Sequence, residues 1–348
     1  MTTRDGVWVV AACFNEEAVI SRFIERVLAV PGVDQLVLID DGSKDATVDQ
    51  ICGFLTDRRR LGEPVPVTLL ELTRNFGKEA AMLAGLDHVR GRCAAAVLID
   101  SDLQHPPELI EAMVAEWRAG AEVVTAVRDD RDQESRLKVL SASWFYRVFN
   151  KVVDSIQLQE GAGDYRLLDV AVVEAFTRLR ESSRFSKGLL PWTGYRSVEL
   201  PYQRVSRVGG TTSWSPLKLI GYAFDGIFSF SVLPLKVWTG LGVLVSGISL
   251  LYALVIALRT ALVGRDVPGY ASLMVAVLFL GGIQLIGISV LGDYIGRIYV
   301  ESKARLHYFI RSIDSGRGVS VARARHSLCR QGEAAKVWET VNPASARF

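Results

Sequence analysis

The chain has 348 residues, 40 Lys and Arg against 38 Asp and Glu, and 49% hydrophobic residues with 30 Gly and 11 Pro. This composition excludes a disordered chain and a collagen-like repeat, and no nucleic-acid partner is expected. The mean hydropathy of +0.23 is high for so many charges, so the apolar residues must be concentrated, and they gather towards the C-terminus. Cys13, Cys52, Cys93 and Cys329 are scattered without a Cys-x-x-Cys pair or a nearby His, which argues against a zinc site and a disulfide scaffold.

In chain order, β-branched runs at Val7 to Ala12, Gln35 to Asp40, Val65 to Leu72, Ala94 to Asp100 and Glu122 to Val127 alternate with amphipathic stretches. The first run lacks the charged, apolar and small regions of a signal peptide, so the N-terminal domain is expected to stay in a reducing cytoplasm. Alternation of this kind predicts an α/β fold of βαβ units with a mostly parallel, Rossmann-like sheet, and ligands at the carboxyl ends of its strands.

Val237 to Leu258 is a run without charge, and Val267 to Gly292 is a second. A bilayer core needs roughly 20 residues of helix, so each can span it. Only Arg259 to Asp266 separates them, which predicts a two-helix transmembrane hairpin with both ends on one side. Arg204, Arg207, Lys218 and Lys236 precede it and Arg297, Lys303, Arg305 and Arg311 follow. The positive-inside bias then makes the flanks cytoplasmic, placing the protein as multi-pass in the inner membrane with both termini inside. Leu217 to Leu235 reads as an amphipathic juxtamembrane helix, or as a helix packed on the domain. The predicted organisation is a catalytic domain over 1–214, a juxtamembrane helix over 215–236, the membrane region over 237–300 and a basic tail over 301–348, largely disordered after 312.

Residues with chemical potential end the apolar runs. Asp100-Ser101-Asp102-Leu103-Gln104-His105 follows the fourth, and two carboxylates at i and i+2 can hold one hard divalent cation, Mg²⁺ or Mn²⁺, together with phosphate oxygens. A bare Asp-x-Asp also fits a solvated turn ahead of a helix. The first three runs end in Cys13-Phe14-Asn15-Glu16-Glu17, Asp40-Asp41-Gly42-Ser43-Lys44-Asp45 and Arg74-Asn75-Phe76-Gly77-Lys78-Glu79. Helix N-termini favour anions, acidic residues can bond a base or ribose, and Arg74 and Lys78 offer cations to phosphate. Each has an ordinary alternative: Asn15 and Ser43 as helix caps, Glu16 and Glu17 as dipole partners, Arg74 and Lys78 as a solvated face. His105 reads as a helix-start residue.

These segments resemble glycosyltransferase family 2, with its nucleotide-binding A-type fold, and more narrowly its polyprenyl-phosphate branch, which includes bactoprenol glucosyltransferases and dolichyl-phosphate mannose synthases. Gly163-Asp164-Tyr165-Arg166-Leu167-Leu168-Asp169, Arg207-Val208-Gly209-Gly210 and Gly292-Asp293-Tyr294-Ile295-Gly296-Arg297 extend the similarity. Ala12-Cys13-Phe14 stands where that family usually carries a proline. The resemblance implies that Asn15, Glu17, Asp40 and Asp41 line the nucleotide site, that Asp100 and Asp102 hold the metal and diphosphate, and that Gln104 meets the donor. It also implies that Arg128 and Arg136 meet the acceptor phosphate, that Arg207 closes over the phosphates and that Asp164 lies at the catalytic centre.

The implied partners are a nucleotide sugar, UDP-linked in preference, a polyprenyl phosphate, membrane lipid and further copies of the chain. The implied reaction is inverting transfer to the lipid phosphate, with glucose as the preferred sugar. A processive polysaccharide synthase would need a longer membrane channel and a Gln-x-x-Arg-Trp signature, and neither is present. A non-catalytic sugar-nucleotide binder would not need so full an acidic and basic set, and a Rossmann dehydrogenase would need Gly-x-Gly-x-x-Gly after the first run.

Overall fold

The computed structural model describes residues 6–63, 65–128, 162–182, 184, 186–202, 233–263 and 269–315. Eight strands form one sheet: β1 (Val7–Cys13), β2 (Val33–Asp40), β3 (Val67–Leu72), β4 (Ala95–Asp100), β5 (Val123–Arg128), β6 (Ala162–Asp169), β7 (Ser197–Tyr202) and β8 (Ile310–Ser315). The order is β7-β5-β6-β4-β1-β2-β3-β8. The first five match the expected runs to within a few residues. The sheet is mixed, because β6 runs against β4 and β5, and β8 runs against β3.

β1, β2 and β4 lie at the centre and are apolar on both faces, as strands covered by helices on both sides must be. Helix α1 (Ile20–Leu28) buries Ile20, Phe23, Ile24 and Val27, spaced i, i+3, i+4 and i+7 so that one stripe faces the core. Burying each such side chain contributes about 1.5–3 kcal/mol. Helix α2 (Thr47–Arg60) inserts Ile51 and Leu55 into the same cluster. Helix α3 (Lys78–Val89) buries residues almost all round and lies on β1 and β2. A Cβ at its Gly85 would come within 2.4 Å of Val10 and 2.6 Å of Ile39, so the absent side chain permits that approach.

Helix α4 (Leu109–Arg118) buries Ile110, Met113 and Val114. Asp169, at the end of β6, caps α5 (Val170–Arg178) by accepting from the Ala171 N–H at 2.8 Å, and its other oxygen accepts from Trp117 Nε1 at 2.8 Å. Helix α6 (Ser186–Trp192) buries Gly188, Leu189 and Leu190.

β8 corrects the tail assigned to 301–348. Ile310 to Ser315 pair with Leu72 back to Thr68, so that edge of the sheet is completed by residues from beyond the second long apolar helix. Arg59 pairs with Asp314 and donates to the Ser315 carbonyl at 3.0 Å. Tyr308 donates to Asp87 at 2.7 Å, and Asp87 also takes both guanidinium nitrogens of Arg180, at 2.7 Å each. The physical reason for the miss is that Ile-Arg-Ser-Ile-Asp-Ser carries little β-propensity, and its pairing with β3 is entirely non-local.

A separate compact unit contains α7 (Leu233–Val263) and α8 (Tyr270–Ser302). Pro234 sits in the first turn of α7, where its missing N–H costs no bond. Val237–Ile256 and Phe279–Ser302 have mean hydropathies of 2.1 and 1.4, and neither window has any residue buried. Two helices of this length and composition could span a membrane. The juxtamembrane stretch lies almost entirely outside the described residues, as do Arg136, Arg207 and the chain after 315.

Candidate active site

Strand directions assemble the site. β1 to β5 and β7 are mutually parallel, so their carboxyl ends share one sheet edge. β6 runs the other way, with Arg166 opposite Leu98, and its start therefore brings Gly163 and Asp164 to that edge beside Asp100. Asp40, Asp100 and Arg128, all expected in the site, are the last residues of β2, β4 and β5.

The centre of this edge is an ionic cluster. Lys78 Nζ, at the start of α3, lies 2.6 Å from Asp100 Oδ1 and 2.7 Å from Asp164 Oδ2. Burial works against its charge, yet Asp100 and Asp164 hold the ammonium above its usual range. For Asp100 burial also opposes ionisation, and the neighbouring His105 and the paired Lys78 outweigh it and hold the carboxyl well below its usual range. Asp164 is held low in the same way, by Lys78 and then Lys187. Both carboxylates are ionised at neutral pH.

Asp102 is shaped by its neighbours. The Gln104 amide N–H donates to Asp102 Oδ1 at 3.0 Å, and Gln104 Nε2 donates to Oδ2 at 2.6 Å. Leu103 between them is buried and adopts φ 58°, an uncommon conformation for a residue with a Cβ. Ser101 Oγ donates to the Ala12 carbonyl at 3.0 Å and ties this turn to β1. His105 is not a helix-start residue, since α4 begins only at Leu109. It is buried, with Nε2 3.6 Å from Asp100 Oδ2 and Nδ1 2.8 Å from the Tyr202 hydroxyl. Its ring packs at 5.2 Å from Tyr165 and 5.5 Å from Tyr202.

The first three loops interlock beside this cluster. Asn15, at φ 56°, donates its N–H to Ser43 Oγ at 2.9 Å and accepts from the Lys44 N–H at 2.9 Å. Glu17 accepts from the Ala46 N–H at 2.9 Å, an anion at the start of α2. Asp40 accepts from Gly42 and Ser43, and Asp41 accepts from the N–H groups of Phe76 at 2.7 Å and Gly77 at 2.9 Å. Burial pushes both carboxyls upward against these bonds. Gly42, at φ 74°, lies so close to the third loop that a Cβ there would fall 2.7 Å from the Arg74 carbonyl carbon and Asn75 nitrogen. Arg74 is exposed, with its guanidinium 4.1 Å from the Phe76 ring centroid.

The structure thus brings together Asn15, Glu17, Asp40, Asp41, Arg74, Lys78, Asp100, Asp102, Gln104, Arg128 and Asp164 at one edge. It adds roles that residue type did not reveal. Gln104 braces Asp102, Lys78 bridges two carboxylates, and Asp41 joins two loops. Tyr202 and Arg166 are further polar residues buried here, the latter donating from Nε to the Gly163 carbonyl at 3.1 Å. Arg166 lies within the Gly163 to Asp169 stretch that carries the family resemblance, whereas Tyr202 has no local signal.

Asp100 and Asp102 supply the hard oxygen donors that Mg²⁺ or Mn²⁺ prefers. The side chains of both Asp100 and Asp102 stand at this edge on either side of Ser101, where one divalent cation could be held between them and a bound phosphate. Among the described residues no three His, Cys, Asp or Glu side chains form a complete cage. This fits a cation that takes its other ligands from phosphate and water, and the residues present fit the group.

Residues 8–176 match the model of Glycosyl transferase family 2. An uncharacterized glycosyltransferase of Synechocystis is 44% identical over 86% of this chain and 91% of its own length. A bactoprenol glucosyl transferase of Shigella phage SfX is 44% identical over 87% of this chain and 98% of its own. Among solved structures, the mannosyltransferase PcManGT from Pyrobaculum calidifontis, in complex with GDP-Man and Mn²⁺, has 18% identity. That structure aligns with a TM-score of 0.41 over 81% of this chain and 86% of its own. The family match and the two relatives at 44% identity define the chain as a glycosyltransferase. It belongs to glycosyltransferase family 2, in the branch that holds the bactoprenol glucosyl transferases.

Proposed function

We propose that the protein transfers a hexose, glucose in preference, from a UDP-linked donor to the phosphate of a polyprenyl lipid, undecaprenyl phosphate being the test acceptor. The observation that carries this reading is the Asp100, Asp102, Lys78 and Asp164 cluster, in a chain similar over most of its length to a named bactoprenol glucosyl transferase. The two membrane-length helices support a lipid acceptor. In this reading the catalytic domain and both termini are cytoplasmic, and the chain associates with copies of itself.

The reaction is one inverting displacement. A lipid phosphate oxygen forms a bond to the anomeric carbon as the bond to the nucleotide diphosphate breaks, and the electron pair leaves with the diphosphate. A phosphate monoester has its second pKa near 6, so the acceptor is mostly dianionic at neutral pH and has no proton to give up. Catalysis therefore rests on alignment and charge neutralisation. Asp102 and Asp100 would hold Mg²⁺ or Mn²⁺, which when bound neutralises charge on the diphosphate. Gln104 keeps the Asp102 carboxylate in one orientation, Arg74 offers a cation to the donor phosphates, and Asn15, Glu17, Asp40 and Asp41 form the nucleotide side. Arg128, Arg136 and Arg207 are assigned to the acceptor and donor phosphates.

The test uses the purified full-length protein with labelled UDP-glucose, undecaprenyl phosphate and Mg²⁺ or Mn²⁺. Labelled lipid is expected. Asp102→Ala and, separately, EDTA are expected to lower the rate by about a hundredfold or more. Full activity in EDTA would remove the metal assignment, and no transfer from any of a panel of nucleotide sugars would remove the reading itself.

A further inference from the structure

β8 begins at the same sheet edge as the ionic cluster, because it runs antiparallel to β3 and sets Ile310 opposite Leu72, the last residue of that strand. The next residue, Thr73, is held from two sides. Its N–H donates to the Phe309 carbonyl at 2.9 Å, and its carbonyl accepts from Arg311 Nη2 at 2.8 Å. Beyond it Arg74, Asn75 and Phe76 lead through Gly77 into α3 and Lys78. The Phe309 ring lies against Phe76, with centroids 6.1 Å apart at 47°, while Arg74 covers the same Phe76 ring at 4.1 Å. Asp41, just past the carboxyl end of the neighbouring strand β2, accepts from the Phe76 N–H.

Phe309 is 39% exposed, so it is not a core residue placed by burial. Its ring meets Phe76, the side chain over which the Arg74 guanidinium lies, and its backbone carbonyl holds the residue before Arg74. We propose that Phe309 is a positioning residue for the donor: through Phe76 and Thr73 it sets where Arg74 stands, and with it the loop that leads to Lys78. The inference rests on the reading that Arg74 meets the donor's diphosphate. It gives the segment after the second apolar helix a part in binding the sugar nucleotide, distinct from the acceptor.

The test measures binding of UDP and of GDP, each with Mn²⁺, to the full-length protein by calorimetry, together with donor KM and kcat. Phe309→Ala and Phe309→Leu are expected to weaken nucleotide binding and raise donor KM about three- to tenfold, with kcat within about twofold. Phe309→Tyr, which keeps the ring, is expected to restore both. Asp314→Asn, at the far end of β8, is the control for strand stability: it lowers the melting temperature and leaves donor KM unchanged. Arg74→Ala separates the two readings. If Arg74→Ala binds nucleotide as the wild type does, the loop is not a donor contact and the site reading falls. If Arg74→Ala weakens binding but Phe309→Ala and Phe309→Leu only lower the melting temperature, as Asp314→Asn does, the positioning role is wrong.

Discussion

Asp164 occupies the place where a general base is commonly sought in such sites, and its surroundings argue for another part. It bridges to Lys78 at 2.7 Å and its carboxyl is held below the usual range, which makes it a weak proton acceptor. Had it been the base, its limb in a rate profile would fall below about pH 4, far from the second pKa of a phosphate monoester near 6. Asp164→Asn is therefore expected to slow transfer by about tenfold or more, because Lys78 loses one anchor, while the acidic limb stays near pH 6. A mutant profile without that limb, not recovered at higher pH, would make Asp164 the base. At this scale residue types were readable and partners were not. Asp100 and Asp102 stood out by their spacing taken with the acidic and basic ends of the neighbouring runs, but nothing local joins Asp100 to Lys78, or His105 to Tyr202, which are 97 positions apart.

At the scale of elements, the edge strand β8 carries the clearest consequence. A chain ending at Ser302 would lose every partner of β3 on that side, together with the Arg59 pairing and the Tyr308 to Asp87 bond. An uncovered edge strand also offers a template for association. Such a truncation is expected to lower the melting temperature of the detergent-solubilised protein by more than about 5 °C and to increase aggregation, as read by thermal unfolding and size exclusion. An unchanged melting temperature would show that β8 contributes little. The five strands and the helices between them were legible because each is a local pattern, apolar runs for buried strands and a 3.6-residue stripe for α1. β6 and β7 escaped because their environment is set by neighbours far away in sequence, and β8 because it is largely polar and its partner strand lies far back in the chain, before both apolar helices.

For the whole molecule, two apolar helices with a short connection require that Leu233 and Ser302 end on the same side of any bilayer they cross, and we propose from the basic flanks that this side is the cytoplasmic one. A cysteine introduced by Gly269→Cys, between the helices, is expected to react with a membrane-impermeant maleimide in intact spheroplasts. Cys13 and Cys93, buried in the catalytic domain, are expected to stay unlabelled. Labelling of Gly269→Cys only after lysis would reverse the orientation or remove the span. What the sequence determined by itself were those features whose physical cause is local: apolar runs long enough for strands or membrane helices, charge flanking them, and acidic or basic residues where runs end. The tertiary structure alone decided which charges meet, that Gln104 serves Asp102, and that a strand from beyond the two apolar helices completes the catalytic sheet. These depend on strand direction and register, and hydrogen bonds between distant backbones leave no periodic trace in the chain that makes them.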